Sequence, residues 1–230
     1  MEKVKGLINY FSKFEIILWS FSVLSIIISF LVFDKENYMT LFASLIGVTS
    51  LIFCAKGNPL GQILMIIFST IYGIISFSFS YYGEMITYVG MTLPMSVFSL
   101  VSWLKNPYKD NKSEVKVYKL KKKDIHLMIV LTVAVTIVLY FILKHFNTAN
   151  LLPSTFSVTT SFVAAFLTFK RSPFFALAYA TNDIVLIVLW VLATKEDISY
   201  ISVIICFLVF LFNDLYSFFN WLRMQKRQQN

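Results

Sequence analysis

Apolar residues in this chain come in long unbroken runs, not in the short alternations that mark half-buried strands or amphipathic helices. The runs fall at roughly 14–33, 40–55, 61–79, 84–104, 125–144, 152–169, 174–193 and 199–221. Several approach the ~20 residues that an α-helix needs to cross a bilayer core, and those at 40–55 and 152–169 are shorter. Such runs predict spanning helices, because a helix satisfies its own backbone hydrogen bonds in lipid. The first run is too long for the apolar core of a signal peptide. The stretch after it, VFDKEN, offers no small-residue cleavage site.

Composition agrees. Hydrophobic residues make up 58% of the 230 positions and charged residues 14%, where a soluble domain has roughly a quarter charged. The formal charge of +8 raises the question of nucleic acid. The distribution of that charge answers it. With eight crossings and a cytoplasmic N-terminus, Lys and Arg on the cytoplasmic side number 17 and those on the other side 3. That asymmetry is the positive-inside pattern. It predicts an even number of spans and both termini in the cytoplasm, and it leaves no nucleic-acid partner to invoke. The basic run KLKKKD then reflects topology and anionic lipid. Cys54 and Cys206 both fall inside apolar runs and imply neither a disulfide framework nor a metal site.

A weak internal repeat organises the chain. At an offset of 114 positions Lys56-Gly-Asn-Pro59 falls on Lys170-Arg-Ser-Pro173, and the Tyr82-Gly-Glu84 turn falls on Glu196-Asp-Ile198. With a four-residue shift, SWLK at 102–105 meets NWLR at 220–223. The expected fold is all-α and integral to the membrane, with eight transmembrane helices. An N-terminal segment with an extra helix (1–39) precedes the first three-helix repeat (40–104). A basic cytoplasmic linker (105–124) and an inter-repeat helix (125–144) follow, then the second repeat (145–223) and a cytoplasmic tail (224–230). Because three spans is an odd number, the single helix between the triplets makes them parallel. Parallel repeats are one of the known transporter plans, with the solute site near mid-membrane at the repeat interface.

Polar residues inside the runs locate the candidate chemistry. Two adjacent segments each carry an Asn-Asp pair, Asn182-Asp183 and Asn213-Asp214. An Asp near the bilayer centre costs roughly 2.5–3.5 kcal/mol on insertion scales, so it faces a partner or a cavity. The bland alternative is that these pairs fix helix packing through neighbouring Asn, Ser and Thr. Asn213, Tyr216, Ser217 and Asn220 share one helical face; Ala176, Tyr179, Asp183 and Trp190 share another; Gln62, Ser69, Tyr72 and Ser76 a third. Amides, carboxyls, hydroxyls and aromatic faces together suit a polar, ring-containing solute such as a nucleoside. An intramembrane enzyme using Asp183 and Asp214 is a remote alternative, since the Gly-x-Gly-Asp signature of intramembrane aspartyl proteases is missing. No cofactor is implied.

The segments RSPFFALAYATNDIVLIVLWVLA and FNDLYSFFNWLRM, with the AKGNPLG and YYGE turns, resemble the PnuC-type nicotinamide riboside transporters over roughly 40–223. The resemblance implies a 3+1+3 fold, related to SWEET sugar transporters but inserted the opposite way. It also implies a homotrimer in the plasma membrane, and facilitated diffusion of nicotinamide riboside made one-way by phosphorylation in the cell. Relatives carry thiamine, riboflavin or deoxynucleosides. Riboside-specific members have Trp-x-x-Trp about one turn before the Asn of the penultimate span, where this chain has Phe175 and Ala178. The substrate-binding residues expected are Asn182, Asp183, Asn213, Asp214, Tyr216, Asn220, Gln62, Tyr72, Trp190 and Tyr179.

Overall fold

The computed structural model describes residues 10–78, 82–109, 111–148, 150–195 and 197–230. Lys3, Lys5 and Glu196, used above in the charge count and the repeat, lie outside them. Helix α1 spans Lys13–Phe33, α2 Tyr38–Ala55, α3 Pro59–Ser78 and α4 Tyr82–Leu104. A small hairpin, β1 (Pro107–Tyr108) and β2 (Asn111–Val115), precedes α5 (Lys122–His145). Then come α6 (Leu151–Phe169), α7 (Phe174–Ala193), a 3-10 turn (Ile198–Tyr200) and α8 (Ile201–Gln229). Among the described residues eight helices are long and apolar enough to cross a membrane. All eight runs in the sequence are matched. The last helix continues well past Trp221, because its polar end (RMQKRQQ) packs on the hairpin instead of fraying.

The triplets α2–α4 and α6–α8 meet along two seams, α2 against α8 and α4 against α6. Helix α5 stands at the edge. Only Leu139 and Leu143 of it are buried, and it packs mainly on α6. Helix α1 packs on α2 and α8. Its anchor is Glu15, which is 2% exposed. The carboxylate accepts from Ser12 N at 2.6 Å, from Lys56 Nζ at 3.1 Å and from Tyr216 Oη at 2.8 Å. One acid thus closes a capping box, pairs with the α2–α3 turn and holds α8.

The two basic turns are built alike. Asn58 N donates to Phe53 O and Gly61 N to Asn58 O; Ser172 N donates to Leu167 O and Phe175 N to Ser172 O. Gly57 and Arg171 both take positive φ, 65° and 55°. Each turn also receives the indole of the opposite triplet. Trp103 of α4 donates to Thr168 O at 2.9 Å, and Trp221 of α8 donates to Cys54 O at 2.8 Å. Thr168 and Cys54 stand two residues before Lys170 and Lys56, so the exchange is reciprocal. The indole rings lie 5.4 Å apart and both are fully buried.

The basic linker is more than a charged tether. Val115 N donates to Gly57 O, and Tyr118 N to Arg171 O, so the linker is bound to both turns. Val115 is fully buried beneath the Trp pair's cluster, and Glu114 holds the end of α8 through Arg227 and Gln228. Its Lys-rich composition pointed to lipid; its apolar and amide positions make it a brace across the basic end.

Replacing Trp103 or Trp221 with Phe keeps ring packing but removes the second donor from a helix-end carbonyl, leaving Thr168 O with Arg171 N alone or Cys54 O with Gly57 N alone. Interhelical hydrogen bonds in membrane proteins contribute ~0.6–2 kcal/mol. Either substitution is expected to lower the thermal midpoint of the detergent-purified protein by a few degrees. An unchanged midpoint in both would show that the turn N–H groups alone satisfy these carbonyls.

Candidate functional site

Helix α4 is where the site begins, because it is not a regular helix. Pro94 has no N–H to donate to Gly90 O, and its ring crowds that carbonyl. The chain responds with a π turn over Tyr88–Thr92, closed by Leu93 N to Tyr88 O. Insertions of this kind widen a helix and recur at functional sites. Here the turn carries Tyr88 and Thr92, with Thr87 just before it, onto the wall of a cavity.

That cavity, with a volume of ≈ 150 Å³, lies between the triplets. Its floor is Asp183 at the middle of α7 and Asp214 of α8; its far end is Glu84, Thr148 and Ser154, all near helix ends away from the basic turns. Aromatic rings line the sides. The tilted rings of Phe68 and Tyr72 of α3 lie 4.7 Å apart and those of Tyr72 and Tyr88 5.1 Å apart, and Tyr179, Trp190, Phe207 and Phe210 join the lining. Toward the basic end the floor is closed by the layer of Trp103, Trp221 and Phe175.

Asp183 and Asp214 are 4% and 2% exposed. Their carboxyls face each other within hydrogen-bonding reach. Asp183 Oδ2 and Asp214 Oδ1 find no other partner among the described residues. Beside them, Asn182 Oδ1 accepts from Thr160 Oγ1 at 2.8 Å and Ser157 Oγ at 3.3 Å. Those bonds fix the amide and leave its Nδ2 for the cavity. Among the described residues three carboxyls therefore line the space, and no Lys, Arg or His does.

The expected site residues divide into two groups. Asn182, Asp183, Asp214, Tyr72, Tyr179 and Trp190 line the cavity together. Asn213, Tyr216, Asn220 and Gln62 lie elsewhere. Asn213 Nδ2 donates to Ser22 Oγ of α1 at 2.9 Å; Tyr216 donates to Glu15; Asn220 Nδ2 donates to Ala55 O at 2.8 Å; Gln62 Nε2 donates to Cys54 Sγ at 3.3 Å. Phe175 is 2% exposed, with its ring against Trp221 at 4.9 Å. Glu84, Thr87, Tyr88 and Ser157 are lining residues that the periodicity of the polar stripes did not pick out. The signal that could have found Thr87 and Tyr88 is Pro94, which forces the local widening of α4.

Residues 37–223 match the family model described as the nicotinamide mononucleotide transporter. The chain belongs to this family. Membership makes it a membrane transporter, in line with the buried polar cavity between spans. A crystal structure of the vitamin B3 transporter PnuC shares the fold, with a TM-score of 0.79 over 95% of this chain and 94% of that one, at 22% sequence identity. A search of curated proteins by sequence found no match. For this family member the fold and the class of activity are thus fixed, and the solute is a matter of what the cavity can hold.

The cavity geometry predicts opposite behaviour for two groups of variants. Asp183→Asn and Asn182→Ala should weaken binding of the solute roughly five- to a hundredfold, the equivalent of ~1–3 kcal/mol for a lost buried partner, with thermal stability near wild type. Asn213→Ala should lower stability and leave the affinity of the folded fraction unchanged, since its amide ties α1 to α8. Affinity for nicotinamide riboside or thiamine and the melting midpoint, measured on the same preparations, separate them. Loss of affinity in Asn213→Ala with wild-type stability would move the site to the α1 side of α8.

Proposed function

We propose that the protein carries nicotinamide riboside across the plasma membrane by facilitated diffusion. The observation that carries this reading is the charge of the cavity. Among the described residues Glu84, Asp183 and Asp214 line it and no basic residue does. A phosphate would be set among like charges with nothing to pair with, which disfavours the mononucleotide after which the family is described. The riboside lacks the phosphate and bears a cationic pyridinium ring, which the carboxyls and the Tyr72–Tyr88 wall suit. Its ribose hydroxyls find Asn182 and the Ser and Thr groups of α4 and α6. The same charge argument makes thiamine, also cationic, the second reading; riboflavin and deoxynucleosides are neutral and gain less from it.

Alternating access follows from the two seams. The Trp103–Trp221 layer closes the basic end while the cavity extends to the Glu84 end, and rocking one triplet against the other would exchange the two openings around a fixed site. The charge asymmetry supports a cytoplasmic side for the basic turns, the linker and both termini. Phosphorylation of the riboside inside the cell then makes net uptake one-way, because the product no longer suits the cavity. We further propose a homotrimer, as the family resemblance implies.

Purified protein should be stabilised against heat by nicotinamide riboside and less, or not at all, by nicotinamide mononucleotide; a ligand at 100 times its dissociation constant adds about 2.7 kcal/mol. Stabilisation by the mononucleotide alone would overturn the charge argument. Proteoliposomes with no ion gradient should bring labelled riboside to equal concentrations on both sides. Reporter fusions at the two ends should both read cytoplasmic, and an external C-terminus would break the even-span topology.

A further inference from the structure

The two seams between the triplets use matching positions but are not alike. Setting Trp221 of α8 on Trp103 of α4 places Asn213, Tyr216 and Asn220 on Met95, Phe98 and Ser102. Setting the two basic turns on each other places Gly47 of α2 on Ser161 of α6. At the basic end the seams agree. Asn220 Nδ2 donates to Ala55 O and Trp221 to Cys54 O across α2–α8; Ser102 Oγ donates to Phe169 O and Trp103 to Thr168 O across α4–α6. Farther into the membrane they part. Gly47 lies so close to Phe210 of α8 that a Cβ there would meet the ring at 2.7 Å. At the matching level of the other seam, Thr92 and Ser161 stand on the cavity wall. Helix α6 lines the cavity from Ser154 to Ala165, whereas α2 adds Leu51 alone among the described residues.

The flanking helices widen the contrast. Helices α1 and α5 each precede a triplet, and each has an acid in its first turn that pairs with a basic turn, Glu15 with Lys56 and Asp124 with Lys170. Helix α1 bonds to both sides of its seam. Trp19 Nε1 donates to Thr49 Oγ1 of α2 at 3.2 Å. From α8, Tyr216 donates to Glu15 and Asn213 to Ser22, the last two side chains both buried. Helix α5 bonds to one side, through Thr136 and Thr159 of α6 at 2.9 Å. On α4, Met95 and Phe98 have no hydrogen-bond donor to offer where α8 has Asn213 and Tyr216. Met91, Met95, Phe162 and Phe166 fill the α4–α6 seam, and methionine repacks readily because its side chain is flexible.

We propose that α1 fastens the α2–α8 seam as a hinge and that the solute enters and leaves along the α4–α6 seam. The proposal rests on the alternating-access reading above. Parting α4 from α6 slides apolar groups past one another. Parting α2 from α8 pulls α1 off one of them and strands Trp19 or Asn213 where lipid offers no partner. Helix α1 precedes the residues that match the family model, so this role belongs to an element outside that match.

Spin labels at Phe42→Cys and Leu208→Cys report across α2–α8, and labels at Val89→Cys and Phe156→Cys across α4–α6. All four side chains are exposed, and the native Cys54 and Cys206 are buried. Double electron–electron resonance on the purified protein in nanodiscs, with no solute added, should give one narrow distance for the first pair and two populations for the second. Singly labelled samples account for distances between protomers. Two populations across α2–α8, alone or at both seams, would overturn the hinge and leave alternating access standing. A single distance at both seams would overturn alternating access and the proposal with it. Ser22→Ala combined with Tyr216→Phe removes both bonds from α8 to α1. In that variant a second α2–α8 population should appear, while an α4–α6 pair like the wild type shows that the fold is intact. An α2–α8 distance that stays narrow there would overturn the assignment of α1 as the fastener.

Discussion

A bilayer core offers no hydrogen bonds, so each polar group held there is answered by protein or by a water-filled cavity. This constraint accounts for most of the architecture. At the basic end, the carbonyls where α2 and α6 terminate accept a turn N–H, from Gly57 on Cys54 O and Arg171 on Thr168 O, and each takes a second donor from the opposite triplet, Trp221 and Trp103. The linker answers Gly57 O and Arg171 O in the same way. Serine and threonine hydroxyls along the spans mostly turn back to carbonyls four residues earlier, as Ser69 and Thr168 do. Against this background of satisfied groups, the unsatisfied atoms carry information. Of the six buried side-chain atoms lacking a partner among the described residues, four belong to α7 and α8: Asp183 Oδ2, Asn213 Oδ1, Asp214 Oδ1 and Ser217 Oγ.

The same constraint explains what could and could not be read from the sequence. Helix positions were legible because an uninterrupted apolar run has few other uses. The α7 stripe was legible too: Tyr179, Asp183 and Trp190 share a face and share the cavity. On α8 the reading divided. Successive helix residues diverge by about 100°, so Asn213 and Asp214 cannot serve the same surface. The polar face through Asn213, Tyr216 and Asn220 looked like a cavity wall, but it is taken up by α1 and the α2–α3 turn, through Ser22, Glu15 and Ala55 O. Nothing in α8 itself says that α1 would supply Ser22 and Glu15. Periodicity shows that a face is polar; only the packing shows what answers it.

Charge sorts the molecule along the membrane normal. The basic turns, the linker and the end of α8 collect at one end, where Lys56 pairs with Glu15, Lys170 with Asp124 and Arg227 with Glu114. The cavity extends toward the other end, and the charged residues that line it among the described ones are all acids. The positive groups therefore stabilise the closed end and its contacts with lipid, and none competes with a solute for the carboxyls.

The central claim is that the solute sits between the triplets against Asp183 and Asp214. It is tested most directly by a structure determined with nicotinamide riboside bound. The result expected is density in the cavity, with the pyridinium ring between the Tyr72–Tyr88 wall and the two carboxyls and the ribose toward Asn182. Density on the α1 side of α8, beside Asn213 and Tyr216, or at the basic turns, with the cavity empty, would contradict it.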